Sequence, residues 1–187
     1  YLVILAAMPL MMALSRVGLW AVFGAVALIW TLAQGALLDS LGLGALHLAF
    51  PAEPWSDREW FFNPFGWQLI FFTGFAFMRG WLPKPPVTTG LVVTAAVIVI
   101  AMIPLSHIGM REIFGPLAPG IREDIINWRI ANQGLFNKSD FGILRYVHFL
   151  ALAYLCWVAA GDGGARLGPC GGLQLRVQGV IFRHAKA

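Results

Sequence analysis

The sequence predicts an all-α fold: a polytopic transmembrane helical bundle of about five spans with one amphipathic interfacial helix. Three observations carry this reading. Of the 187 residues, 59% are hydrophobic and only 12% charged, about half the charge of an ordinary soluble domain. Mean hydropathy is +0.74. The apolar residues also come in runs close to span length, separated by polar loops. In lipid, an unclosed strand would leave its backbone groups unpaired, and no alternating barrel pattern is present, so the runs are read as helices.

The first run is Tyr1–Leu14, followed by a tight Ser15-Arg16 connection. It lacks an initiator Met and a basic leader, so it reads as a span cut at its start rather than as a signal peptide. The second runs from about Val17 to Leu38, the third from Phe65 to Leu82, the fourth from Thr88 to Leu105 and the fifth from Phe141 to Ala160. A helical span needs ~20 residues, within a range of roughly 17–25.

Asn63-Pro64 is a helix start: Asn accepts from a free N–H, and Pro stands at the first helical position, where no N–H is needed. Ser139 or Asp140 is expected to cap the fifth helix in the same way. Between the fourth and fifth runs, GPLAPG breaks the chain, and IREDIINWRIANQGLF then places Ile121, Ile125, Trp128 and Asn132 on one helical face. That is the interfacial helix, or a strut connecting two spans. Residues 1–160 read as part of one transmembrane domain truncated at its N-terminus. Residues 161–187 are too broken by Gly, Arg and Gln to span and read as an irregular tail, as a frameshift or early stop would produce.

Basic residues distribute by side. Arg16, then Arg79 and Lys84, then the tail's arginines would share the cytoplasmic side if every run spans. The loop 39–63, with Asp39, Glu53, Asp57 and Glu59 against one Arg58, would face outward. Loop 106–140 weakens this assignment with Arg111, Arg122, Arg129 and Lys138. The net charge of +4 follows from such loop residues. No basic stripe with interleaved aromatics exists, so nucleic acid is excluded as a partner. The bilayer is the partner expected instead.

Candidate site residues are polar groups inside apolar runs. Arg145 and His148 stand three residues apart in LRYVHFLALAYL, neighbours on one helix face. A central Arg costs ~3 kcal/mol on insertion scales, so such a residue points to function. A guanidinium grips a carboxylate or phosphate and keeps a nearby imidazole neutral. The alternative is that Arg145 snorkels to the headgroups and His148 packs against a backbone carbonyl. Gln68, near the start of the third run, either joins helices or contacts a substrate. Trp55, Trp60 and Trp67 suit an interfacial aromatic belt. His47 and His107 have no ligand-spaced partner, and the cysteines, Cys156 and Cys170, form no CxxC, so no metal site is predicted. No GxSxG, HExxH, P-loop or GxGxxG occurs.

FFNPFGWQL, then a helix, a long loop and FGILRYVHFLALAYL, together resemble the OpgC family over about Tyr1–Trp157. These are bacterial inner-membrane, multi-pass proteins that O-succinylate osmoregulated periplasmic glucans. The resemblance implies an O-acyltransferase with an acyl-CoA donor such as succinyl-CoA, no bound cofactor, and a glucan acceptor. Its catalytic histidine lies in a first span that this sequence lacks, so no catalytic base is carried over and the fragment is expected to be inactive alone. The candidate substrate-site cluster is Arg145, His148, Gln68 and Asn63. Alternatives are transfer to another surface polysaccharide or lipid, a transporter or channel lined by Arg145 and His148, and a non-catalytic helical subunit.

Overall fold

The computed structural model describes residues 2–56, 58–106 and 119–161. The readings placed on Asp57, His107, Arg111, most of GPLAPG, and the tail beyond Gly161 lie outside them. Nine α-helices occur among the described residues: α1 (Leu2–Ala6), α2 (Met8–Val17), α3 (Leu19–Leu32), α4 (Gly35–Ser40), α5 (Pro64–Met78), α6 (Thr89–Leu105), α7 (Pro119–Ala131), α8 (Gln133–Phe136) and α9 (Ile143–Ala160). A 3-10 turn covers Gly44–Leu46, and the only β pairing among these residues is an isolated antiparallel bridge between Pro51 and Glu59.

The architecture is helical as expected, but the number of spans is not. One described helix, α9, is long and apolar enough to cross a membrane. The other apolar runs form shorter helices, and local chemistry explains each end. Pro9 in the first turn of α2 has no N–H to give, so the first run is split at Ala7. The second run starts a helix only after Gly18 and ends it before Gln34, leaving 14 residues in α3. The third stops at Met78, and Gly80 turns the chain with φ 70°. The fourth begins where Thr88 Oγ1 accepts from Leu91 N. At 1.5 Å per residue, helices of 14, 15 and 17 residues reach about 21–26 Å, against about 27 Å for the 18-residue α9. The inside–outside alternation, which required every run to span, falls with the count.

Ile4, Met11, Val22, Val26 and Phe72 form the buried core where α1, α2, α3 and α5 meet. On the other side α9 lies along α6. The Thr73 hydroxyl meets Tyr146 Oη at 2.9 Å and ties α5 to α9, while Tyr154 Oη donates to Pro86 O at 2.9 Å. Large apolar side chains such as Trp20, Leu28, Val97 and Ile100 remain exposed on the helices. Helix α7 forms where IREDIINWRIA was expected to be helical, and Trp128 packs edge-on against Phe136 of α8.

The two halves meet at the turn before α9, residues 138–141. Four consecutive carbonyls in it each accept a hydrogen bond from α3, from Gln34 between α3 and α4, or from the start of α5. Trp67 Nε1 donates to Lys138 O, Asn63 N to Ser139 O, Gln34 Nε2 to Asp140 O and Trp30 Nε1 to Phe141 O, at 2.7–3.0 Å. The Asp140 carbonyl is buried, and it needs such a donor because water cannot reach it. Gly66 lets α5 approach this closely: a Cβ there would collide with the Asp140 carbonyl. Gly66→Ala should therefore destabilise the protein by about 1–3 kcal/mol through overpacking. Gly74→Ala, in open space on the same helix, should stabilise it by about 0.5–1 kcal/mol. Denaturant unfolding in detergent micelles reads both.

Candidate functional site

Asn63 is the N-cap of α5, as its sequence position predicts. Its Oδ1 accepts from Phe65 N at 3.1 Å, and Pro64 follows. The other end of the amide does more than capping requires. Nδ2 donates to Leu48 O at 2.7 Å and to Asp140 Oδ1 at 3.3 Å. Asn63 is 1% exposed and Asp140 5%. Asp140 Oδ2 accepts from Asn137 Nδ2 at 2.6 Å, and Asn137 Oδ1 in turn accepts from Ser139 N.

Asp140 is thus no helix cap. The N-cap of α9 is Gly142, without a side-chain hydrogen bond, and the Asp140 carboxylate turns away into the cluster. Burial pushes this carboxyl above its ordinary value and nearby Glu59 adds to the rise, while the Asn63 hydrogen bond and His47 pull it down.

His47 completes the group. Its Nε2 lies 3.2 Å from Ala33 O and 3.9 Å from Asp140 Oδ1, and its Nδ1 lies 3.2 Å from Glu59 Oε1. The ring lies against Gly35, where a Cβ would come within 3.0 Å of it. Glu59 arrives through the Pro51–Glu59 bridge, with Trp60 N donating to Phe50 O beside it. Segments distant in the chain therefore converge: the loop after the 3-10 turn, the start of α5 and the turn before α9.

The other candidates lie elsewhere. Gln68 is buried on α5, where its Nε2 donates to Val26 O at 2.8 Å and its Oε1 has no partner among the described residues. Arg145 Nη2 donates to Phe136 O at 3.1 Å, and its buried Nε is unpaired among those residues. His148 is half-buried on α9. No hydrogen bond or ion pair joins Arg145 or His148 to Asn63 or Gln68 among the described residues. Of the four, Asn63 alone belongs to the Asp140 cluster. That cluster also includes His47, Glu59 and Asn137, which no spacing in the sequence singled out as a group.

The family model for the OpgC protein matches residues 1–175. The chain belongs to the OpgC family. No curated protein and no solved structure matches it. Membership in the OpgC family supports association with a membrane, and α9 is the described helix able to cross one. In this OpgC chain, FNPFGWQL is the stretch that builds the clamp on the 138–141 turn through Asn63, Gly66 and Trp67.

Proposed function

We propose that this chain is part of an O-acyltransferase of the bacterial inner membrane that moves a succinyl-type group from an acyl-CoA to hydroxyls of a periplasmic glucan. The observation that carries this is the OpgC family match over residues 1–175. The exposed apolar helix surfaces and α9 fit a protein working against lipid. In the reaction, the sugar hydroxyl oxygen attacks the thioester carbonyl, a C–O bond forms, the C–S bond breaks, and the hydroxyl proton passes through a base to the departing thiolate. The base is assigned to no residue of this chain. Arg145 is the candidate for holding the free carboxylate of a dicarboxylic acyl group, since a guanidinium pairs with carboxylates in a fork geometry.

The test is transfer of radiolabel from succinyl-CoA in membranes carrying the complete gene product, supplied with unsubstituted glucan. Alkali-labile label on the glucan is the expected result. Label on a lipid or a different polysaccharide would overturn the acceptor, and no label on any of them would overturn the activity. Arg145→Ala should reduce transfer at least ~10-fold with succinyl-CoA, the order of a lost charge-assisted pair of about 1.5–3 kcal/mol. Unchanged transfer at equal protein level would remove Arg145 from the site.

A further inference from the structure

His47 has an arrangement that a neutral imidazole cannot satisfy. Such a ring has one N–H donor and one bare acceptor nitrogen. Here both nitrogens face oxygens: Nε2 faces Ala33 O at 3.2 Å, and Nδ1 faces Glu59 Oε1 at 3.2 Å. A carbonyl only accepts, so Nε2 is the donor, and Nδ1 then turns a lone pair toward a carboxylate oxygen. Either a second ring proton, donated to Glu59, or a metal cation held between the two resolves this. Asp140 Oδ1 is close by, and no lysine or arginine pairs with Glu59 or Asp140 among the described residues.

We propose that His47, Glu59 and Asp140 form a binding site for a divalent transition-metal ion. One ligand atom from each lies within 4.8 Å of the others. In a tetrahedral shell at about 2.0–2.2 Å the ligand atoms lie about 3.3–3.6 Å apart, so a gap at the 4.8 Å limit must close by about an ångström. Glu59 can shift toward the ion, because its side chain is 44% exposed. Its exposure also gives the ion a way in. The outer shell is already built. His47 Nε2–H donates to a backbone carbonyl, and both Asp140 oxygens accept amide N–H groups from Asn63 and Asn137. Ligating histidines and carboxylates are characteristically held this way. Two carboxylates and one neutral imidazole balance a 2+ charge. One nitrogen with two oxygens suits Zn²⁺, Mn²⁺ or Co²⁺ better than the all-oxygen shells of Ca²⁺ or Mg²⁺.

The probe is Co²⁺, titrated into the purified, chelator-stripped chain in detergent and followed by its visible d–d absorption. The expected result is one Co²⁺ per chain, displaced by Zn²⁺. Glu59→Gln, an exposed change that should leave the fold intact, and His47→Gln should each abolish the signal. Asn137→Ala should weaken binding by about tenfold as an outer-shell loss. Glu53→Gln, in the neighbouring Arg58 pair, should change nothing. Absence of a Co²⁺ signal in the native chain would overturn the site, as would a signal indifferent to Glu59→Gln and His47→Gln. So would ¹⁵N spectra showing both His47 nitrogens protonated with Zn²⁺ present, because a proton would then hold the place assigned to the ion.

Discussion

Phe141→Ala is expected to destabilise the protein by about 3–5 kcal/mol, the range for emptying a buried aromatic site. Phe141 is 1% exposed, among the most buried of the large side chains. Its ring lies 4.6 Å from Trp67 of α5 and 6.2 Å from Tyr146 of α9. It therefore fills the seam between the two halves, where neighbours fixed by backbone hydrogen bonds cannot collapse inward. The backbone adds a second, sharper expectation. Phe141 has φ 56°, the left-handed region, and is the only non-glycine residue with positive φ among the described residues. That conformation costs a side-chain-bearing residue of order 1–3 kcal/mol and costs glycine almost nothing. Phe141→Gly should then be no less stable than Phe141→Ala, reversing the usual order of those two substitutions. Denaturant unfolding of both variants in one detergent decides it. A glycine variant clearly weaker than the alanine variant would mean that the turn carries no such strain.

The places where sequence and structure agree are those governed by neighbours in the chain. Asn63-Pro64 specifies its own cap, and the helices of LRYVHFLALAYL and IREDIINWRIA follow from local pattern. Helix lengths were less legible. Hydropathy averages over Gly18, Gln34 and Gly80, whereas the backbone ends or turns at each. Gln34 shows why. It falls within the apolar run 17–38, yet it stands between α3 and α4 and its amide donates to Asp140 O. The His47–Glu59–Asp140 group was illegible for a different reason. Its members are far apart in sequence, and each has an ordinary local explanation: a loop histidine, a loop acid and a helix cap. What joins them is the 138–141 turn pinned under α3 and α5, a contact that no short-range pattern encodes. Arg145 and His148 stood out because charge in an apolar helix is visible in one dimension, and the structure leaves them apart from that cluster.

Asn63 is where these two kinds of information meet, and its substitution should be the most revealing in the chain. Asn63→Ala removes the cap of α5, worth about 1 kcal/mol. It also strips Leu48 O and Asp140 Oδ1 of a buried donor, at about 1–3 kcal/mol for each group left unsatisfied. Together these predict a loss of about 3–7 kcal/mol. Asn63→Asp separates the parts. An aspartate oxygen still accepts from Phe65 N, so the cap survives. Its other oxygen takes the place of Nδ2, 3.3 Å from Asp140 Oδ1, and two carboxylates at that distance in a buried site cannot both stay ionised. Near neutral pH this variant should therefore be less stable than Asn63→Ala. Asp140 is already shifted upward, by burial first and Glu59 second, and a second carboxylate raises the pair's folded-state affinity for a proton further. A raised folded-state value means stability that is present below the unfolded carboxyl range and lost as pH rises through the folded value. Acidification should thus rescue Asn63→Asp, because one protonated carboxyl can donate to the other as the amide did, while Asn63→Ala has no proton to gain at that position. Unfolding midpoints of the two variants, measured from neutral to mildly acidic pH and referenced to the native chain, should cross. Parallel curves would show that residue 63 acts on α5 alone and that its amide does not hold the Asp140 turn.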